Sequence, residues 1–509
     1  GAVVALTKSD LVDAATLHER VGAVRARLAR TPLDRAPVIA CSAVTGAGLD
    51  ATRVALDAMV AAAATPHLEG RPRHFVDRVF TIRGSGTVVT GTLVGGRLRV
   101  GDEAEILPSR RRARIRALQT HKRAIEHAMP VSRVAVNVTG ISRPELGRGD
   151  VLCLPGEWRP TDVFDGVLLP VRALTHALTP RGAYKLYAGS AERDVDVRFE
   201  PGVRELAPST EAVLVRITAR RPVVLDLGDH FVLREAGRQE TVAGGAVLDV
   251  DPPRRWDDRH TDLLRQRMAA GADRARLAGL LVLERGFVPA RDVFVLTGAK
   301  AEQAIPEPVR VGQWVAAPVV VDDVAGRLTE QLTRLHRDHP LRPGLDAAEA
   351  RASLAESHPA LADAALADAV IGHLEIAGAI ARAREFVRLP GHRASTAGDP
   401  DADRLVDVVG SAEPAAPTVK ELLRAGFSRE LIEATCEDGR LVKVSPDLLA
   451  TPDLLVKAEA VLRAAPMGIT VSDFRQALGT SRKYALPLLE HFDARGVTRR
   501  EGDVRVVRT

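Results

Sequence analysis

The sequence predicts a multidomain protein in which a short α/β segment precedes two β-barrels and a series of small α+β modules with a helix-turn-helix-wing pattern. Its 509 residues are too many for one hydrophobic core and suggest three or more domains. Apolar residues first follow a strand-helix alternation, then short alternating runs separated by glycine, and after Pro252-Pro253 a helical pattern. The predicted boundaries are 1–68 for the α/β segment, 70–160 and 163–253 for the barrels, and 257–338, 340–395, 417–452 and 453–509 for the helical modules. Residues 396–416 are rich in helix breakers and predict a linker.

The composition is that of ordinary folded domains. Apolar residues make up 46% of the chain and charged residues 27%, which argues against a disordered or a membrane-embedded protein. No apolar run is long enough to span a membrane and no leader opens the chain, so we expect a cytoplasmic protein without a membrane partner. The three cysteines are far apart and predict neither a disulfide framework nor a metal site.

The first 65 residues alternate strand and helix as a parallel α/β sheet does, with strands at 2–6 and 37–41 and helices at 17–28 and 48–63. A polar motif follows each strand: T-K-S-D at 7–10, and C-S-A-V-T-G-A-G-L at 41–49. Because α/β sheets bind ligands at the carboxyl ends of their strands, the two motifs form one candidate site. The opening strand has no start Met and no capping element before it, so we expect the sequence to begin within a domain.

The two motifs resemble the guanine-reading motifs of GTPases, N-K-x-D and S-A-x-x-G-x-G-L. The resemblance implies GTP as the ligand, with Asp10 accepting hydrogen bonds from the guanine ring N–H and amino group. Lys8 would lie along the base, and the backbone at Ser42 and Ala43 would reach the guanine oxygen. Thr7 stands where the family usually has Asn, so its contact is an open point. The alternative for T-K-x-D alone is a helix start after a strand.

A GTPase also needs a P-loop of the form G-x-x-x-x-G-K-[ST] to hold the phosphates and Mg²⁺, and the 509 residues contain none. The glycines at 84, 86 and 91 lie in strand-like alternation and predict turns and barrel corners instead. We therefore expect that this chain alone does not hydrolyse GTP, and that the Mg²⁺ site belongs to the intact protein.

Residues 76–82 (V-D-R-V-F-T-I), 84–93 (G-S-G-T-V-V-T-G-T-L) and 100–102 (V-G-D) resemble the second domain of translational GTPases, and within these the selenocysteine-specific elongation factor (SelB) family. The match continues at 133–138, 148–152, 228–234 and 244–249 and covers nearly the whole chain. The resemblance implies a partial α/β GTPase domain, two barrels of translation-factor type and tandem winged-helix modules.

The same resemblance assigns a selenocysteyl-binding site in the first barrel. Arg78 and Arg133 match the arginines that surround selenium, and Asp77 matches the carboxylate that faces the aminoacyl amino group. This chemistry is reasonable because a selenol is more acidic than a thiol, and fixed cations hold a selenolate better than an apolar slot does. The alternative is that Asp77 and Arg78 form an ordinary ion pair at a strand end.

The carboxyl-terminal segment predicts a winged helix. Val471, Phe474 and Leu478 mark one helix face, a turn follows at 479–480, and the next helix buries positions 485, 488, 489 and 492. A hairpin with its turn at 501–503 completes the module. Residues 479–490 (G-T-S-R-K-Y-A-L-P-L-L-E) resemble the last winged helix of the selenocysteine factor, which holds the selenocysteine insertion hairpin of the mRNA. The candidate RNA-binding residues are Ser481, Arg482, Lys483, Tyr484, Arg499, Arg500 and Arg505.

The resemblance therefore implies an elongation factor that delivers selenocysteyl-tRNA to the ribosome at UGA codons and that depends on GTP in the intact protein. Its partners would be selenocysteyl-tRNA, the insertion hairpin and the ribosome, and the factor would act as a monomer. The other winged-helix modules would form an arm between the tRNA and the message. Two alternatives stay open: a DNA-binding winged-helix regulator with translation-factor-like barrels, and a general carrier of ordinary tRNA.

Overall fold

The computed structural model describes residues 1–29, 31, 33–63, 68, 70–82, 86–172, 174–208, 210–303, 308–383, 385–392, 396–465 and 467–508. Gly84, a predicted turn residue, and Ser85 lie outside them. The chain forms two compact units, Gly1–Pro252 and Pro253–Thr509, which divide at the predicted Pro252-Pro253 break. Within the described residues, every helix is too short or too polar to cross a membrane.

The first unit opens with the predicted α/β alternation. Its elements are β1 (Val4–Leu6), α1 (Ala14–Leu28), β2 (Val38–Ala40) and α2 (Leu49–Ala61), and β1 and β2 pair in parallel. The side chain of Asp13 caps α1 by accepting a hydrogen bond from the Thr16 N–H at 2.8 Å. Among the described residues of 1–63, Cys41 and Ser42 are the buried ones.

The first barrel is antiparallel, and its strands alternate between interior and surface residues as the glycine-rich pattern predicts. Pairing of β7 with β10 closes the sheet in the order β10-β4-β3-β11-β6-β7, with β8 added beside β7. Val76, Val89 and Val136 are fully buried inside it. The strands are β3 (Arg73–Ile82), β4 (Gly86–Val94), β5 (Leu98–Arg99), β6 (Glu103–Leu107), β7 (Arg111–Thr120), β8 (Arg123–Ile125), β9 (His127–Ala128), β10 (Ser132–Thr139) and β11 (Val151–Cys153).

The second barrel is closed in the order β12-β15-β14-β13-β16-β17. Phe164 and Phe231 meet edge to face in its core, with ring centroids 5.5 Å apart. Its strands are β12 (Thr161–Pro170), β13 (Tyr184–Ala188), β14 (Ala191–Phe199), β15 (Val213–Val223), β16 (His230–Glu235) and β17 (Glu240–Asp249). The prediction of two successive β-barrels is confirmed.

Two buried arginines of the first barrel pair with acids of the second. Arg71 contacts Asp226 at 2.9 Å, and Arg73 donates to both carboxylate oxygens of Asp229. The guanidinium carbons of Arg71 and Arg73 lie 3.9 and 4.5 Å from the ring centroid of Trp158. The arginine side chains are almost completely buried, whereas those of Asp226 and Asp229 are 12% and 25% exposed. The two barrels are therefore joined by charged pairs that water screens only in part.

The second unit consists of winged-helix modules whose cores overlap. One core extends from Phe287 to Val387 and so joins the first two modules around α6, and another joins β24 and β25 to α12–α14. The helices are α3 (Asp258–Ala270), α4 (Arg274–Arg285), α5 (Ala290–Thr297), α6 (Pro318–Asp338), α7 (Ala347–Ser357), α8 (Ala364–Ile376), α9 (Pro400–Ser411), α10 (Val419–Arg424), α11 (Arg429–Glu437), α12 (Pro452–Arg463), α13 (Val471–Leu478) and α14 (Arg482–Ala494).

Short strands form the wings of these modules and pair antiparallel in small sheets. The strands are β18 (Phe287–Pro289), β19 (Val309–Val311), β20 (Trp314–Ala316), β21 (Leu345–Asp346), β22 (Ala381–Ala383), β23 (Phe386–Arg388), β24 (Val442–Ser445), β25 (Leu448–Ala450), β26 (Ile469–Thr470), β27 (Thr498–Glu501) and β28 (Val504–Val507). The prediction of tandem α+β modules is confirmed.

The linker predicted at 396–416 is wrong, because helix α9 occupies most of it. Asp399 caps this helix by accepting hydrogen bonds from two backbone N–H groups, and proline occupies its first turn. The buried side chains of Ala402, Leu405 and Val409 pack in one core with Leu422 and Leu431 of the following module. The breakers that suggested a linker therefore mark the two ends of a helix.

The helical assignment of 400–411 can be tested by hydrogen exchange. We expect the backbone amides of 403–411 to be protected, because a packed helix must open before its amides exchange. The Leu405→Ala variant should reduce that protection by about 2–4 kcal/mol, the usual effect of deleting a buried leucine. The exposed Asp407→Ala variant is the matched control and should change protection little. Exchange at unprotected rates throughout this segment would contradict the assignment.

Candidate functional sites

The two guanine-type motifs lie side by side at one edge of the β1–β2 pair. The Cys41 N–H donates to the Leu6 carbonyl at 2.8 Å, and the Ser9 N–H donates to the Cys41 carbonyl at 3.2 Å. These backbone hydrogen bonds connect the loop after β1 directly to the loop after β2. The structure therefore brings both predicted motifs to the carboxyl ends of neighbouring parallel strands, as expected.

The second loop is held from within by Ser42. Its buried Oγ accepts hydrogen bonds from the N–H groups of Val44 and Thr45, at 3.2 Å each. Gly48 is the cap residue before α2 and has a φ of 72°, and a Cβ there would lie 2.0 Å from the Ala40 carbonyl oxygen. Ser42 thus shapes the loop through its side chain, while Ala43 is exposed.

In the first loop, Thr7, Lys8 and Asp10 are all exposed. Lys8 adopts the left-handed conformation, with φ 61° and ψ 38°, which is uncommon for a residue with a side chain. The loops therefore present to solvent the groups that base recognition needs. A carboxylate, an ammonium group and backbone amides are groups with which a guanine base can form hydrogen bonds, and the 509 residues contain no P-loop motif for the phosphates.

A β-bulge in β3 creates the second site. Val76 pairs with Gly91 and Arg78 pairs with Thr90, so Asp77 is an extra residue between them. In a regular strand consecutive side chains point to opposite faces, whereas a bulge changes the direction of one of them. Val76 is therefore fully buried, while Asp77 is half-buried and Arg78 is exposed.

Arg133 of β10 reaches this bulge across β4. Its Nη1 forms an ion pair with the Asp77 carboxylate and lies 3.4 Å from the Thr92 hydroxyl oxygen. The Arg133 side chain is 60% exposed and that of Asp77 30%, so the pair contributes only about 0–1 kcal/mol to stability. The structure thus brings the three predicted selenocysteyl-binding residues to one surface of the first barrel.

A histidine that no sequence motif had singled out lies close to this surface. His74 is completely buried, and its Nε2 is 3.0 Å from the Val134 carbonyl oxygen, one residue beyond Arg133. Burial lowers the pKa of His74 to about 4, although its hydrogen bond to Val134 and the charge of Asp77 act in the opposite direction. The imidazole is therefore neutral at pH 7.

The last winged helix has the predicted elements. The predicted positions Phe474, Ala485, Leu488, Leu489 and Phe492 are buried together, Gly479 ends α13 with a φ of 66°, and the wing turns at Gly502. Ser481, Arg482 and Lys483 are exposed at the start of α14, although the Ser481 side chain makes no capping hydrogen bond. Tyr484 is half-buried, with the Lys483 Nζ 5.1 Å from its ring centroid.

The prediction that Arg505 belongs to an exposed RNA surface is wrong. Arg505 is 4% exposed and contacts the Asp493 carboxylate of α14 at 3.2 Å. The other oxygen of Asp493 accepts the hydroxyl of Thr498 at 2.6 Å. Asp493 therefore joins both strands of the wing to the helix, and Arg505 has a structural role.

The two remaining wing arginines are exposed but do not face the same way. Arg500 is paired with Arg505 across the hairpin and Arg499 with Val506, so they lie on opposite faces of the wing. Arg499 also forms an ion pair with Glu501, and Arg500 donates to the Gly502 carbonyl at 3.0 Å. The convergence of all three wing arginines that we expected is not observed.

Family models match four parts of the chain. Models described as elongation factor SelB, winged helix, match residues 329–389 and 461–507. The model for elongation factor Tu domain 2 matches residues 86–153. The model for the selenocysteine-specific elongation factor, beta-barrel domain, matches residues 198–254. Arg133 and the exposed start of α14 fall inside these matches.

Two sequence relatives and one solved structure match nearly the whole length of this chain. The selenocysteine-specific elongation factor of Desulfomicrobium baculatum is 30% identical over 534 residues, an alignment that covers 99% of this chain and 82% of that protein. The factor of the same name from Escherichia coli (strain K12) is 27% identical, with 99% and 81% covered. The crystal structure of bacterial selenocysteine-specific elongation factor EF-Sec shares the fold, with a TM-score of 0.68 at 18% identity over 100% of this chain and 81% of that chain.

The sequence relatives and the family models extend over the barrels and the winged helices alike, and they agree with the architecture described above. The chain belongs to the selenocysteine-specific elongation factor family.

Proposed function

We propose that the intact protein carries selenocysteyl-tRNA to the ribosome at UGA codons in a GTP-dependent cycle, and that the last winged helix of this chain holds the selenocysteine insertion hairpin of the mRNA. The observation that supports the first part most directly is the bulge in β3, which presents Asp77 and Arg78 together beside Arg133. We propose that the cycle takes place in the cytoplasm and that the factor acts as a monomer.

The charges of this site fit a selenocysteyl ester. Asp77 is placed to accept hydrogen bonds from the aminoacyl ammonium group, and the guanidinium groups of Arg78 and Arg133 attract the selenolate. Serine on the same tRNA has an uncharged hydroxyl at neutral pH and forms no ion pair with the arginines. Selection of selenocysteine over serine therefore depends on the charge of the side chain rather than on its size.

The α/β segment supports the GTP-dependent part of the proposal. Asp10 can accept from the guanine N–H and amino groups, the stem of Lys8 can cover the base, and the backbone of Ser42 and Ala43 can meet the guanine oxygen. Thr7 has a shorter side chain than the Asn of related GTPases, so we assign it a position beside the base and no hydrogen bond. Mg²⁺ would bind at the phosphates of GTP, and we assign none of these residues to the phosphates or to Mg²⁺.

The start of α14 supports the RNA-binding part. Arg482 and Lys483 are exposed at a helix amino terminus, where unpaired backbone N–H groups also attract phosphate. Ser481 adds an exposed hydroxyl, and Tyr484 offers the free edge of a half-buried ring. Arg499 and Arg500 extend the surface along the two faces of the wing. This arrangement suits a hairpin read by its shape, its backbone and its loop.

The selenium contact can be tested with the Arg133→Met variant. Because one charge-assisted hydrogen bond is lost, we expect its affinity for selenocysteyl-tRNA to fall roughly 10- to 100-fold. Affinity for the same tRNA charged with serine should change little, as measured by protection of the aminoacyl ester from hydrolysis. The exposed Arg198→Met variant of the second barrel is the control. Equal weakening of both aminoacyl-tRNAs would contradict the assignment.

The RNA surface can be tested by comparing an insertion hairpin with duplex DNA of equal length at several salt concentrations. The chain should prefer the hairpin, and Arg482→Ala or Lys483→Ala should each lower the salt dependence of binding by about one unit. The control is Arg495→Ala, which removes a charge from the far end of the same helix. Equal or stronger binding to DNA would instead support a DNA-binding regulator.

The structural role of Arg505 makes a different prediction. The Arg505→Ala variant leaves Asp493 without its cation, and we expect the last module to lose about 1–2 kcal/mol of unfolding free energy. At temperatures where the variant is folded, its affinity for the hairpin and its salt dependence should equal those of the unmodified chain. A reduced salt dependence with unchanged stability would contradict this structural role and would indicate that Arg505 contacts the RNA.

A further inference from the structure

His74 is the buried polar group closest in sequence to the Asp77 bulge. The Val134 carbonyl can only accept, so the proton of the neutral imidazole lies on Nε2 and is donated to that oxygen at 3.0 Å. The other ring nitrogen, Nδ1, is buried and has no hydrogen-bond partner within the described part of the chain. A buried ring with one unsatisfied nitrogen reduces stability.

The imidazole reaches β10 because β4 has no side chain in its way. His74 belongs to β3, and Val134 lies on the far side of β4, opposite Gly91. A Cβ at position 91 would lie 3.1 Å from the His74 Cε1 and 1.8 Å from the Phe75 carbonyl oxygen. Gly91 therefore leaves the space through which a β3 side chain can bind the backbone of β10.

A second side chain holds β10 from its other neighbour. The Thr120 hydroxyl of β7 donates to the Arg133 carbonyl at 2.9 Å. The carbonyls of consecutive strand residues point to opposite sides, so Thr120 and His74 hold Arg133 and Val134 from opposite directions. The backbone that carries the Arg133 guanidinium is thus fixed on both sides. On the outer surface the guanidinium itself forms an ion pair with Asp77, which belongs to the same strand as His74.

The neutral state of the ring matters for this arrangement. A charged imidazole beneath the surface would repel the Arg133 guanidinium and attract Asp77, whereas a neutral one leaves their pair undisturbed. Burial keeps the pKa of His74 at about 4, with the charges of Asp77 and Arg133 acting in opposite directions. Because this pKa lies well below 6.5, the ring is uncharged throughout pH 5.5–8.

We propose that His74 is a positioning residue for selenocysteyl recognition: by donating to the Val134 carbonyl through the space above Gly91, it fixes Arg133 in the orientation that distinguishes selenocysteine from serine. The proposal rests on the selenocysteyl-binding function proposed above. It adds a determinant of selectivity that lies inside the barrel and does not touch the ligand.

The test compares four variants by the ratio of affinities for one tRNA charged with selenocysteine or with serine. His74→Leu removes the donor at similar volume, and we expect the ratio to fall about 3- to 10-fold, as for loss of one net hydrogen bond. His74→Gln retains an N–H at a similar distance from the main chain and should restore the ratio. Thr120→Val, at a half-exposed position, should also lower the ratio.

Val136→Ala is the matched control, because it removes buried volume from the same strand without removing a donor to Arg133 or Val134. Its ratio should equal that of the unmodified chain even where its melting temperature falls. The proposal would be overturned if both His74→Leu and Thr120→Val kept the affinity ratio of the unmodified chain. It would also be overturned if Val136→Ala lowered the ratio as much as His74→Leu does. Absence of any preference in the unmodified chain would instead overturn the function on which it rests.

Nitrogen-15 spectra of the histidine rings give a readout that does not depend on binding. At pH 6, where exposed histidines are mostly protonated, the signals that disappear in His74→Gln should show one protonated and one unprotonated nitrogen. An imidazolium at this position at pH 6 would overturn the proposal that a neutral His74 ring donates to the Val134 carbonyl.

Discussion

The proposed selenocysteyl site depends on one extra residue in β3. If β3 were regular, Asp77 and Arg78 would point to opposite faces of the sheet, and one of them would lie inside the barrel. The bulge between Val76 and Arg78 allows both side chains to reach the surface while Val76 remains in the core. Arg133 then completes a surface in which an anion and two cations lie together. This combination suits a zwitterionic aminoacyl group with an ionised side chain.

The rest of the first unit keeps this surface in place. Arg71 and Arg73 stack against Trp158 and pair with acids of the second barrel, so the two barrels are joined next to the beginning of β3. In the second unit, the last module is attached to the one before it. The Thr480 hydroxyl donates to the Pro414 carbonyl at 2.8 Å, and Glu413 accepts from the backbone and hydroxyl of Thr451. Helix α14, which we propose binds RNA, thus begins at a position that the preceding module helps to define.

The sequence was sufficient to predict the architecture but not the individual contacts. Periodicity located the two barrels and the last winged helix, and it identified the buried face of α14, because burial of a helix face leaves a repeating pattern. It failed at α9, whose three buried residues are few and are bordered by Pro400 and Gly410, so the breakers outweighed the pattern. Arg505 could not be distinguished from Arg499 and Arg500, because its partner Asp493 comes close only when the wing folds onto the helix. The bulge at Asp77 and the role of His74 likewise depend on pairings between strands that the sequence does not display.

The measurement that tests the central claim most directly is the preference of the unmodified chain for selenocysteyl-tRNA over the same tRNA charged with serine, followed as the pH is lowered at fixed salt. Recognition of a charged selenolate by Arg78 and Arg133 predicts a strong preference at neutral pH that disappears as the selenol becomes protonated, while affinity for the seryl form stays constant. A preference that persists unchanged after the selenol is neutral, or equal affinity for both forms at neutral pH, would contradict the account.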